Sequence, residues 1–194
     1  MPKHTKCQCQ QIIKLFDGLF IKSLNTRLVC AVCDGRQGKL DEPIYEPANA
    51  QCAVHQIVFA HGYFASALHE ISHWCVAGKA RRLLEDFGYW YRPDGRSHQQ
   101  QTEFEKVEVK PQALEWLFSL ATQRLFVASA DNLDGADCDD LAFRLAVSAQ
   151  ARAYFAYGLP PEARLLFLQL QQAYGGFVTL DKLYWPEEKP TDVA

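Results

Sequence analysis

Between Cys9 and Phe20 the apolar side chains fall at Ile12, Ile13, Leu15, Phe16, Leu19 and Phe20. That three-and-four spacing is one face of a helix, which Gly18 and the region of Asn25 bring to an end. Thr26 to Cys33 is mainly apolar and predicts a strand. The following GRQGKLDEPIYEPANAQC, punctuated by Gly35, Gly38, Pro43 and Pro47, predicts a long loop. HQIVFA, His55 to Ala60, predicts a second short strand. Phe64 to Lys79 contains no proline, lies between Gly62 and Gly78, and is apolar on nearly every side, so it predicts a buried helix. The aromatic GYWYR, Gly88 to Arg92, predicts a strand, and RPDGRS a turn around its Pro-Asp-Gly core. Phe104, Val107, Pro111, Leu114, Phe118, Ala121 and Leu125 recur at steps of three and four. They predict a helix that runs to about Phe126 and opens near Pro111, because proline is tolerated in a first turn. Leu141 to Tyr157 and Pro161 to Tyr174 predict two more amphipathic helices, divided by Gly158, Pro160 and Pro161. Residues 1–8 and 186–194 are expected to be loose ends, and no internal repeat interrupts the pattern.

Composition narrows the picture. With 194 residues, 48% of them hydrophobic, the chain can bury one substantial core, which predicts a single domain over residues 1–194. A net charge of −3 argues against a protein that holds nucleic acid by neutralising phosphates, so no direct nucleic-acid partner is expected. The N-terminal MPKHTKCQCQQIIKLF lacks a signal-peptide core, and no run approaches the roughly 18 apolar residues of a membrane helix. A soluble, cytoplasmic protein with no membrane contact is the expectation. The cysteines number seven, which without a secretory signal reads as reduced thiols. Cys7, Cys9, Cys30 and Cys33 could together supply four thiolates to a structural zinc, but C-x-C is a less usual spacing and LVCAVC suits a strand. Cys52, Cys75 and Cys138 read as buried or incidental. The five aspartates of DNLDGADCDD, Asp131 to Asp140, read as an acidic loop capping the next helix.

The candidate chemistry lies in HEISHW, His69 to Trp74. On a helix, residues four apart share a face, so His69 and His73 can present ring nitrogens to one ion about 2 Å from each. Phe64, Ala67, Leu68, Ile71, Trp74, Cys75 and Val76 make the segment apolar, and histidines buried there need partners. A metal is the expected partner. Catalytic mononuclear sites use three protein ligands and leave positions open, so a third donor is needed. Glu103, Glu105, Glu108 and Glu115 lie at the entry to the next long element. On a continuous helix Glu103 falls nearest the apolar stripe, Glu108 and Glu115 flank it, and Glu105 points away. Glu103, Glu108 and Glu115 stay open as third ligands on these grounds.

The text IVFAHGYFASALHEISHWCVAGKARR, then DFGYWYRPDGR, then FEKVEVKPQALEWLF, resembles the bacterial elongation factor P hydroxylase family over most of Ile57 to Phe118. The order of the three segments is far more specific than H-E-x-x-H alone. The resemblance implies a two-histidine, one-carboxylate Fe(II) site on His69, His73 and Glu108, with O2 as co-substrate. It implies an α+β fold, helices packed on a small sheet, similar to the metal-dependent endoribonuclease that matures ribosomal RNA. The implied substrate and partner is elongation factor P already carrying a β-lysyl group on a lysine, and the implied reaction is hydroxylation of that side chain. No motif in the chain fixes the electron donor or a dependence on 2-oxoglutarate.

Two imidazoles and one carboxylate leave positions on iron for O2 and keep the metal able to change oxidation state. Zinc has no redox chemistry, so the same residues with zinc would instead make a hydrolase, a peptidase or nuclease with Glu70 as general base. In a hydroxylase the expected part of Glu70 is catalytic without ligation, accepting a hydrogen bond or relaying protons. A third reading is a non-catalytic binder of the translation factor with a structural metal. His61, Tyr63, Tyr91 and Arg92, with Tyr89 and Arg96, are the candidates for a substrate-binding wall. An aromatic and acidic mouth suits a cationic lysyl-lysine arm, each cation–π contact contributing about 0.5–2 kcal/mol.

Overall fold

In the computed structural model of the protein, the structure describes residues 9–35, 42–85, 97–129 and 140–188. Helix α1, Gln10–Leu24, buries Ile12, Phe16 and Phe20 along one face and closes on Asn25, whose left-handed backbone (φ 49°) returns its N–H to the carbonyl of Phe20. Strand β1, Thr26–Cys30, runs parallel to β3, His55–Phe59, and β2, Ile44–Glu46, lies antiparallel on the other side of β3. The sheet order is therefore β1-β3-β2. β1 stops at Cys30 rather than Cys33 because the N–H groups of Cys33 and Asp34 fold back onto the Cys30 carbonyl at 3.1 and 2.9 Å. β2 falls inside the expected loop. It is three residues long, flanked by Pro43 and Pro47, and proline is tolerated there because the strand forms a sheet edge.

Helix α2, Phe64–Arg81, follows β3 directly. It runs past the expected stop because Gly78 breaks the helical dihedrals (φ 72°, ψ 171°) and the helix resumes beyond it. Helix α3, His98–Ala121, begins well before Pro111, which lies inside it. The start is set by a capping box: Ser97 Oγ accepts from the Gln100 N–H at 3.4 Å, and Gln100 Oε1 accepts from the Ser97 N–H at 2.9 Å. It ends at Ala121, short of Phe126, where Arg124 N–H turns back onto the Ser119 carbonyl and Gln123 adopts φ 57°. Helices α4, Asp140–Tyr157, and α5, Pro161–Tyr174, complete an α+β arrangement of five helices on a three-strand mixed sheet among the described residues. Two 3-10 turns follow, Leu180–Leu183 and Pro186–Glu188. The second belongs to a stretch expected to be loose, yet Arg152 holds Glu188 at 3.0 Å and Arg144 holds Glu187 at 2.8 Å. The expected strand at 88–92, the RPDGRS turn and most of the acidic loop lie outside the described residues.

Two apolar clusters meet on α3. One joins α1, the sheet, α2 and α5, with Phe16, Phe20 and Trp74 packing at ring separations of 4.9 to 5.2 Å. The other sets Ala113, Trp116 and Leu117 against Phe126, Phe143, Val147 and Leu183. Leu114 and Phe118 of α3 belong to the first, so α3 is gripped on two sides. At the far end of α2, Arg82 lies over the Trp74 ring at 3.9 Å, donates to the Trp74 carbonyl at 3.0 Å and pairs with Glu162 of α5 at 3.0 Å. Among the described residues no helix is long and apolar enough to cross a membrane.

Candidate metal centre

His69 and His73 stand one turn apart on α2, their flanks fixed by buried Leu68, Ile71, Ser72 and Trp74. Their Nε2 atoms lie 3.1 Å apart. Glu108 projects from α3 between them, with Oε1 3.1 Å from His73 Nε2 and Oε2 3.7 Å from His69 Nε2. Donors bound at about 2.1 Å and right angles on a common ion lie roughly 3 Å apart, so this triangle has the dimensions of one face of a coordination sphere. Among the described residues, His69, His73 and Glu108 are the group of donor side chains that converge in this way. Cys9, Cys30 and Cys33 do not come together as a zinc site; Cys9 is buried and its Sγ donates to the Gly62 carbonyl at 3.2 Å, while Cys7 lies outside the described residues.

The remaining glutamates separate by what they touch. Glu115 lies two turns along α3 from Glu108 and meets His69 at its other nitrogen, Nδ1, at 2.9 Å. A carboxylate there accepts the Nδ1 proton and leaves the Nε2 lone pair of neutral His69 facing Glu108 and His73. Glu103 is exposed and pairs with Lys106 at 2.7 Å, and Glu105 accepts from Gln101 at 3.0 Å. Gln112, one turn from Glu108, donates to Glu108 Oε2 at 3.2 Å. The orienting position of Glu115 and the contact of Gln112 escaped the sequence reading. Their signal was present in the spacing Glu108, Gln112, Glu115, which puts three polar side chains on one face of the helix where its buried half begins.

The charges favour a cation. Burial pushes the Glu108 carboxyl upward, but the charge and hydrogen bond of His73, the charge of His69 and the hydrogen bond from Gln112 outweigh it and hold the group down at about 2. Burial pushes His69 downward, yet the hydrogen bond and charge of Glu115, with the charges of Glu108 and Glu70, raise it to about 10. Three carboxylates thus surround one imidazole tightly enough to hold a proton on it, and a metal ion would take that proton's place.

Glu70 is partly buried beside His69 and contributes to its charge environment, but it is not among the converging donors. His61 (φ 53°) and Tyr63 occupy the turn into α2 with rings 5.7 Å apart, and Tyr63 is the N-cap and largely exposed. Tyr63 precedes His69 by six residues, about 9 Å along the helix axis. Tyr91 and Arg92, with Tyr89 and Arg96, lie outside the described residues.

Comparison with known proteins bears on this centre. The family model described as elongation factor P hydroxylase matches residues 15–182. A Haemophilus influenzae protein named elongation factor P lysine hydroxylase is 52% identical over 157 residues, which covers 81% of this chain and 84% of the relative. Both matches span the whole of α2 and α3 and so include every residue of the triangle.

Proposed function

This chain belongs to the elongation factor P hydroxylase family, and from that premise we propose that it is a non-haem iron monooxygenase in which His69, His73 and Glu108 hold one Fe(II). The observation that carries the reading is the convergence of two imidazole nitrogens and one carboxylate within 4.8 Å of one another, on the two helices that the family match spans. The substrate is elongation factor P bearing a β-lysyl group on a lysine, and the product carries one added hydroxyl. Bound here, Fe(II) would supply the one-electron chemistry with O2 that hydroxylation of an unactivated C–H bond requires.

The chain's own residues do the rest. Glu115 fixes the His69 ring and its tautomer, so that Nε2 is the free nitrogen. Apolar Leu68, Ile71 and Trp74, all buried beneath the pair, close the core side of the centre to water, and the half-exposed flank of His69 leaves the approach open from solvent. Glu70 is placed beside His69 to accept a hydrogen bond or move a proton at the rim. His61 and Tyr63 supply an aromatic lip suited to a cationic side chain, to which Tyr91 and Arg92 would add. The whole of residues 1–194 acts as one catalytic domain.

Protein purified without air is expected to carry about one iron per chain, and β-lysylated elongation factor P is expected to gain the mass of one oxygen atom when O2 and a reductant are supplied. An iron-loaded preparation that adds no oxygen refutes the proposal. Glu70 between two histidines also fits a zinc hydrolase. Loss of that reading follows if Glu70→Gln keeps hydroxylation and the zinc form cuts neither peptide nor RNA.

A further inference from the structure

The side chain of Gln112 is 2% exposed and makes three hydrogen bonds. Its Oε1 accepts from the Ser129 N–H at 3.0 Å, and its Nε2 donates to the Ser129 carbonyl at 2.6 Å and to Glu108 Oε2 at 3.2 Å. The two bonds to one backbone residue read a donor and an acceptor at once, so the amide can take only one of its two orientations. Reversed, it would set an oxygen against the Glu108 carboxylate and a nitrogen against the Ser129 N–H. Ser129 is itself held at the end of a segment anchored by Phe126, whose ring stacks on Trp116 at 5.4 Å.

We propose that Gln112 is a positioning residue: clasped to the backbone of Ser129, it keeps Glu108 Oε2 engaged and presents Oε1 alone to the metal. This rests on His69, His73 and Glu108 holding the ion. A carboxylate held through one oxygen occupies one coordination position, whereas a freed carboxylate can rotate and take two. The clasp therefore sets how many positions stay open for O2 and couples that number, through Gln112, to the segment 126–129.

The test uses Co(II), whose visible bands report coordination number, in the full chain. Wild type, Gln112→Leu and Gln112→Glu are titrated with Co(II) after thermal melts establish which variants fold. Gln112→Leu removes all three hydrogen bonds; Gln112→Glu keeps the acceptor for Ser129 N–H and removes both donors. Either folded variant is expected to bind Co(II) 10 to 100 times more weakly and to shift the band positions and intensities as Glu108 changes its binding mode. An unchanged spectrum in a folded variant overturns the clasp, whatever the affinity. Should neither variant fold, hydrogen exchange of the wild type decides: the Ser129 amide is expected to be protected, and rapid exchange there overturns the clasp. Wild-type protein that takes up no Co(II) overturns the metal centre itself, so failure of that reading is distinguishable from failure of this one.

Discussion

Replacing Glu115 by Gln isolates one charge. The amide oxygen can still accept the Nδ1 proton of His69 across 2.9 Å, so geometry is kept and the negative charge is lost. A hydrogen bond to a charged group contributes about 1.5–3 kcal/mol and a neutral one about 0.5–1.5, so weaker orientation of the ring costs about 1–1.5 kcal/mol, or roughly tenfold in metal affinity. A second effect has the opposite sign. In the metal-free wild type His69 holds its proton up to about pH 10, and at pH 7 the ion must displace a proton bound by three pH units, at most about 4 kcal/mol. Solvent screening at a side chain still 31% exposed makes that penalty smaller. As pH rises toward 10 the penalty falls, so wild-type Co(II) affinity is expected to climb about tenfold per pH unit between pH 7 and 9. In Glu115→Gln, His69 moves back toward its ordinary 6.5 and the climb flattens above about pH 7. The wild type's advantage over the variant should therefore grow with pH. Competition titrations against a chelator of known pH dependence, at pH 6, 7, 8 and 9, measure both slopes. Parallel lines for the two proteins would refute the assignment of Glu115 as the group that holds the His69 proton.

Three further outcomes follow from the same structure. In the metal-free protein, Glu108 sits below its ordinary 4.5, so its stabilisation is present above about pH 4.5 and lost as pH falls toward 2. His69 sits above its ordinary 6.5, so its stabilisation is present below about pH 6.5 and lost as pH rises through about 10; thermal melts across pH should show both flanks, and His69→Gln should remove the alkaline one. Arg82→Met strands Glu162 and exposes the end of α2, and urea unfolding should show a loss of about 3 kcal/mol; a loss under 1 kcal/mol would mean the pair is dispensable. A Cβ at Gly176 would collide with the backbone carbonyl oxygens of Leu120 and Ala121, so Gly176→Ala should cost about 1–3 kcal/mol in the same assay, and an unchanged midpoint would contradict the close approach.

Local pattern carried far in this chain where burial on one face imposed a period. The three-and-four spacing of Ile12, Phe16 and Phe20 and the two C-terminal helices read correctly because each buries a single stripe, and the proline-free apolar run of α2 was legible as a helix, although it continues past Gly78 to Arg81 and is buried on one side rather than all round. α3 misled because Pro111 suggested a start, whereas the helix is capped at Ser97 by a capping box with Gln100; the cap marks the start, and the burial of Ala113, Leu114, Trp116, Leu117 and Phe118 in two apolar clusters offsets the cost of a mid-helix proline. β2 was illegible because three residues between two prolines carry no alternation; pairing with β3 makes it a strand. At the centre, helix spacing was enough for His69 and His73. It could not choose among the glutamates, since that choice depends on how α2 and α3 lie against each other.

That mutual placement has a consequence for assembly. Along one face of α3 the polar side chains run Glu108, Gln112, Glu115, Ser119. Were α3 to slide one turn, about 5.4 Å, in one direction, Gln112 would replace Glu108 and Ser119 would replace Glu115. In the other direction Phe104 or Glu105 would arrive in place of Glu108, and Pro111 or Gln112 in place of Glu115. Each neighbouring register would leave at most one carboxylate against the two histidines, so the native docking is the one among them that brings Glu108 and Glu115 to the pair together. A metal present during folding would favour the native alignment over its neighbours, which offer it fewer donors, acting as a proofreader of helix register as well as an occupant of the finished site.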